Sequence, residues 1–202
     1  MLLNTSSKGQ ELFSHTDSSA AWRLSSHFLK SIPFDQPNLT FCCIGTDRST
    51  GDTLGPLIGT WLKDHPTFPY EVIGTLEQPL HALNLSETAQ SIQDRPEAPF
   101  VVAIDACLGQ LDRIGFILVE DGPLFPGKAV KKELPPIGDL SIKGIVNVSG
   151  FMEYTVLQNT RLQVPYKMGK VIVRALLLAW QRHQLKVISN RHDDRNNEYA
   201  WK

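Results

Sequence analysis

Residues 39–56 read LTFCCIGTDRSTGDTLGP, and this stretch decides the fold. The run 39–44 is short, continuous and apolar and is closed by Gly45, as expected of a strand covered on both faces. Residues 45–55 are rich in turn formers, and helical spacing resumes over 54–62, with Pro56 tolerable in a first turn. The segment is therefore a strand, a loop and a helix, the unit from which α/β domains are built.

The same rhythm continues on both sides. Upstream, Ala21, Leu24, Phe28 and Ile32 recur at helical spacing behind a cap at Asp17 or Ser18, and Pro33 and Pro37 end the helix. Downstream, 70–73 reads as a second strand, 84–93 as a helix, and 100–104 as a strand terminated by Asp105. Strand, helix, strand is the order of a mostly parallel sheet. Further strands are expected at 114–119 and 142–148, and helices at 151–162 and 164–186, with a long loop rich in Pro, Gly and Lys over 122–136. One domain spanning 1–202 is expected, with mobile segments at 1–14 and 189–202.

Composition narrows the function. At 202 residues and 42% hydrophobic the chain can bury a core without disulfides, and a formal charge of −1 gives no field to attract nucleic acid or an anionic membrane. Neither is expected as a partner. The three cysteines, with Cys42 and Cys43 adjacent, form no paired framework and lack zinc-site spacing. The first ten residues do not resemble a secretory signal, and the longest apolar stretch, 171–180, is interrupted by Arg174. It falls short of the roughly 20 residues that span a bilayer. A cytoplasmic location is expected.

In open parallel sheets, ligands bind beyond the carboxyl ends of the strands. Asp52 and Asp105 each follow such a strand, and Asp47 is a third carboxylate in the first of the two loops. Two neighbouring carboxylates can share a proton, one acting as base toward water and the other as acid, or can hold a divalent metal that acidifies the water. Each could instead be structural, Asp52 as a helix cap and Asp105 as a strand-end acceptor. Gly51 and its neighbours lack the fingerprints of a phosphate loop or dinucleotide site. Cys107 reads as a packed thiol, Ser149 as a helix cap rather than a nucleophile, and His81 as the histidine best placed to be a third metal ligand. Lys128, Lys131, Lys132 and Glu133 make a small charged patch on the long loop.

The segment 44–56, together with 102–109, Gly122-Pro123-Leu124, Pro126-Gly127, 132–135 and 144–153, resembles the YyaC-like sporulation proteins of spore-forming bacteria. That group is similar to the spore germination protease and, more distantly, to the hydrogenase maturation proteases. The resemblance implies a three-layer α/β/α sandwich of the phosphorylase/hydrolase-like kind. It matches the germination protease's two aspartates to Asp52 in Asp-Thr-Leu-Gly-Pro and Asp105 in Ile-Asp-Ala. In the maturation proteases the equivalent carboxylates help bind nickel with a histidine, for which no counterpart is assigned here. The chain is much shorter than the germination protease, so substrate and zymogen regulation do not carry over.

Two functions follow as expectations. The first is a sporulation-associated endopeptidase in which Asp52 and Asp105 activate water, a divalent metal being an open alternative. Asp47, Gly51, Gly127, Lys132 and Glu133 would border a cleft that takes a peptide or spore-protein substrate. The second is a non-catalytic sporulation protein that binds a peptide or metal in the same cleft. The apolar faces of the last two helices could serve the core or a homodimer.

Overall fold

A computed structural model of the chain describes residues 10–126 and 134–199. Six strands, β1 (Gln10–Ser14), β2 (Thr40–Cys43), β3 (Glu71–Ile73), β4 (Val101–Gly109), β5 (Phe116–Asp121) and β6 (Leu140–Val148), form one sheet in the order β1-β5-β6-β4-β2-β3. The block β6-β4-β2-β3 is parallel, and β5 and β1 extend it in antiparallel fashion. The helices are α1 (Ala20–Ser31), α2 (Leu54–Lys63), α3 (Leu85–Gln93), α4 (Glu153–Gln158) and α5 (Gln163–Tyr199). This is the expected α/β fold with a mostly parallel sheet.

The apolar run of β2 is explained by helices on both faces. Phe41 and Cys43 join a core with Leu24 and Phe28 of α1, Ile58 of α2 and Ile172 of α5, whereas Cys42 and Ile44 join a second core with Leu85, Ala89 and Ile92 of α3. Every residue of β2 is buried, so none of its side chains needs to be polar for solvent's sake. Three layers result. Among the described residues no helix is long and apolar enough to cross a membrane.

Several element boundaries depart from the sequence reading. Residues 10–14, expected to be mobile, pair along β5 from Gln10↔Glu120 to Ser14↔Phe116, with Phe13 buried in the core. The final helix, expected to end before Ser189, continues to Tyr199 because no Gly or Pro follows Gly169 to interrupt it. Strand β4 does not end at Asp105 but runs to Gly109, since β6 supplies partners from Asp105↔Lys143 to Gly109↔Val148. The helix expected from 151 begins only at Glu153, after Met152 in the left-handed region at φ 59. Ser149 is not its cap: its amide and hydroxyl both donate to the Gly109 carbonyl, at 2.8 and 3.2 Å.

The topology creates a crevice between β2 and β4. From β2 the chain leaves through α2 to β3 on one side, whereas from β4 it leaves toward β5 and β6 on the other. Connections that diverge from adjacent parallel strands leave an opening at their carboxyl ends, where ligands of such sheets bind. Asp52 and Asp105 both lie there.

Candidate active site

Asp52 sits in the 3-10 turn Gly51–Thr53 that leads directly into α2. The loop that carries it folds back on the end of β2: the Thr46 amide donates to the Asp52 carbonyl at 3.1 Å, and the Gly45 amide donates to Leu80 at 2.8 Å. Gly45 has φ +143, and a Cβ there would lie 2.1 Å from the Asp52 carbonyl oxygen. At Gly55, a Cβ would lie 2.0 Å from the carbonyl oxygen of Ile44, so the first turn of α2 rests directly on the strand end. These two glycines let the Asp52 turn sit against the strand rather than above it.

Asp105 lies one residue past the point where β2 stops pairing with β4, the last partners being Cys43↔Ile104. Asp105 is partly exposed as a residue, but its carboxyl group is enclosed by protein. Burial holds its pKa well above the ordinary carboxylate range, and the negative charge of nearby Asp52 raises it further. The Ala106 amide, which donates to Asp105 Oδ1 at 2.7 Å, and the Lys143 ammonium oppose that shift. Asp52 is also raised by burial. The Ser49 hydroxyl lies close enough to favour its ionised form, yet Ser49 Oγ is buried without a hydrogen bond of proper geometry among the described residues.

The structural alternatives are realised unequally. No side-chain cap is made at the start of the 3-10 turn or of α2, so Asp52 is not a helix cap. Asp105 does accept a backbone hydrogen bond, from its own neighbour, but it lies within the strand rather than at its end. Burial makes both carboxylates harder to ionise, and the charge of Asp52 adds to the effect at Asp105, so one negative charge is held there more readily than two. Such a pair can act as base and acid together.

Sequence reasoning missed Lys143, which faces Asp105 in register across β4 and β6 and forms an ion pair with Glu120. Glu120 also accepts a hydrogen bond from Gln10 Nε2 at 2.6 Å, linking edge strand β1 to the row. The available signal was a lone charge within the otherwise apolar run 142–146. Cys107 is the packed thiol expected: burial and Asp105 push its pKa up to about 12, which keeps it protonated and poorly nucleophilic near neutrality.

Of the expected cleft residues, Asp47 is exposed on the loop, and Gly51 is buried where a Cβ would lie 2.7 Å from Leu157 Cδ2 of α4. Gly127, Lys132 and Glu133, with Lys128 and Lys131, lie outside the described residues. The flanks of that loop meet at the bridge Leu124↔Ile137, and Asp139 beside it bonds to Val101, where β4 begins. That point is about 13 Å along the strand from Asp105, at about 3.3 Å per residue. The opposite rim is apolar, with Leu111, Val148, Phe151 and Met152 all exposed, and the Ser149–Gly109 bond holding the two loops together.

A metal is less well served than a shared proton. Among the described residues no three His, Cys, Asp or Glu side chains gather to hold an ion, and one oxygen of Asp105 already accepts the Ala106 amide. His81, the histidine best placed in sequence to be a third ligand, lines a separate cavity. Among the described residues the two carboxylates have no third protein ligand beside them.

The orphaned Ser49 hydroxyl supports a direct test. Ser49→Ala removes a group that lowers the Asp52 pKa, so Asp52 should ionise at higher pH, and any activity requiring its carboxylate should show an acid limb shifted upward. A pH–rate profile that leaves the acid limb in place would contradict this role.

The chain is 44% identical over 190 residues to "Uncharacterized protein YyaC" of Bacillus subtilis (strain 168), covering 91% of this chain and 92% of that protein. Among solved structures, the [NiFe] hydrogenase maturation protease HycI from Thermococcus kodakarensis KOD1 aligns at 16% identity and a TM-score of 0.44, over 74% of this chain and 98% of its own. Residues 12–175 match the family described as "Protein of unknown function (DUF1256)", and with the YyaC identity this shows that the chain belongs to that YyaC-containing family.

Proposed function

We propose that the chain is an endopeptidase of a sporulating cell that hydrolyses amide bonds with the pair Asp52 and Asp105. The observation that carries this reading is the placement of two burial-raised, charge-coupled carboxylates at the diverging carboxyl ends of β2 and β4. The resemblance of their flanking motifs to those of the germination protease supports the reaction class, and the exposed apolar rim suits a peptide better than a small polar metabolite.

In the resting pair the more deeply enclosed Asp105 retains the shared proton and Asp52 is ionised. Asp52 takes a proton from water as the water oxygen bonds to the peptide carbonyl carbon, and Asp105 gives its proton to the carbonyl oxygen, forming a gem-diol. Asp52 then protonates the departing nitrogen as the C–N bond breaks, and a gem-diol hydroxyl returns its proton to Asp105. Every proton is accounted for, and the pair returns to its starting state. The substrate would be a peptide or spore protein met in the cytoplasm.

The test is incubation of the purified chain, and of its Asp52→Asn and Asp105→Asn forms, with a spore-protein extract across a range of pH, read by mass spectrometry. Discrete products from the unaltered chain and none from either variant are expected. Peptides retained by folded protein without cleavage at any pH would replace this reading with that of a peptide-binding protein.

A further inference from the structure

A cavity of about 410 Å³ opens at the β3 edge of the sheet, between the end of α2, the segment after β3 and the start of α3. It adjoins the aspartate loop through a single hydrogen bond, because Leu80, in its wall, accepts the Gly45 amide at 2.8 Å, and Gly45 in turn touches Asp52. Its polar lining is Lys63, Thr75, Gln78, His81, Asn84 and Thr88, which includes one full cation and no carboxylate.

Three of these groups have unused capacity. Among the described residues Lys63 makes no ion pair and the Gln78 side-chain amide makes no hydrogen bond. His81 Nδ1 accepts the Leu83 amide at 3.4 Å, which leaves Nε2 to carry the proton of the neutral ring as a donor. The wall that presents them is fixed in advance. Asn84 Oδ1 accepts the His81 amide at 2.8 Å, Asn84 Nδ2 donates to Pro79 at 3.0 Å, and Thr75 Oγ1 accepts the Gln78 amide at 3.0 Å.

We infer that this cavity is a recognition subsite for a carboxylate, that of an acidic side chain in the peptide held at Asp52 and Asp105. The substrate part of this inference rests on the peptidase reading; the carboxylate site itself does not. One ammonium with neutral donors matches a monoanion, whereas a phosphate dianion would be left with unmatched charge. Asp105 lies on β4 and the cavity beyond β3, more than two strand spacings of about 4.8 Å away. An extended peptide crossing the strand ends needs more than about three residues to cover that gap, which places the acidic residue at least that far from the bond cleaved.

The test uses the full chain, labelled with nitrogen-15, and acetyl-glutamate amide as probe, with acetyl-glutamine amide and inorganic phosphate as comparisons. Saturable shifts of the Thr75, Gln78 and His81 amides are expected with the glutamate compound. Binding should weaken about tenfold with the glutamine compound or in Lys63→Met, the loss of one charge-assisted hydrogen bond. Lys63 is exposed at the end of α2, so its replacement should leave the fold intact. Equal binding of the glutamine compound, tighter binding of phosphate, or no shifts at these amides would overturn the inference. The amide shifts report occupancy of the cavity and persist in Asp52→Asn and Asp105→Asn, where no bond can be cleaved, so these results stand apart from the cleavage assay. If cleavage is found, Lys63→Met should raise KM for acidic peptides and leave kcat unchanged.

Discussion

Asp105→Asn is expected to abolish cleavage while raising the melting temperature, and the rise should grow with pH. Loss of the shared proton's main holder should lower kcat by about 10²–10⁴-fold, the usual contribution of a positioned general acid or base. The stability effect has its own sign. Burial raises the Asp105 pKa in the folded chain above its unfolded value, so the folded state binds more protons in the interval between the two. Stability is therefore lost as pH rises from the ordinary carboxylate range, near about 4, toward the folded-state pKa, and stays lost above it. Asparagine cannot ionise and retains an oxygen to accept the Ala106 amide, so it escapes that loss. Its advantage should be near zero in strong acid and about 1–2 kcal/mol near neutrality, or several degrees in a chain of this size at roughly 2–4 °C per kcal/mol. Thermal melts at a series of pH values decide the matter. A variant less stable than the parent at every pH would make Asp105 a structural strand residue, whatever its effect on activity.

The placement of Asp52 and Asp105 at strand ends is legible in the sequence for a physical reason. Each follows an apolar run long enough to be a buried strand, and the carboxyl end of such a strand is where a parallel sheet opens. What surrounds them was harder to read because it depends on pairing between strands distant in sequence. The stretch 105–109, Asp-Ala-Cys-Leu-Gly, has no alternation and no β-branched or aromatic residue, and it remains a strand because β6 lies alongside. The same pairing brings Lys143 opposite Asp105, and the antiparallel return of β5 brings Glu120 to Lys143. None of these neighbours is close in sequence. Residues 10–14 read as part of a polar, mobile segment because an edge strand needs only one apolar face, which here buries Phe13 alone. The left-handed Met152 ahead of α4 had no sequence signal, since that conformation is rare outside Gly, Asn and Asp.

Gly45→Ala should be the most damaging of the small substitutions, and comparison with two other glycines separates its causes. At Gly45 an added methyl would meet the Asp52 carbonyl oxygen at 2.1 Å, in a backbone conformation at φ +143 that side chains rarely adopt. At Gly55 the contact is equally hard, 2.0 Å from the Ile44 carbonyl, with no unfavourable φ. At Gly122 the reverse holds, φ +103 with nothing within 4 Å. Gly122→Ala should therefore cost only the conformational strain, about 1–2 kcal/mol. Gly55→Ala should cost more than that, despite alanine's advantage of about 1 kcal/mol inside a helix, because two backbone segments must separate. Gly45→Ala combines both penalties, and we expect a loss above about 4 kcal/mol, in the range tied to steric overpacking and backbone strain. The separation would also break the Thr46–Asp52 hydrogen bond, so protein that still folds should have lost cleavage along with the position of Asp52. Denaturant melts of the three variants give the order directly. If Gly45→Ala and Gly122→Ala cost the same, backbone conformation alone explains both, and the close approach of strand end to aspartate turn is not what holds the site in place.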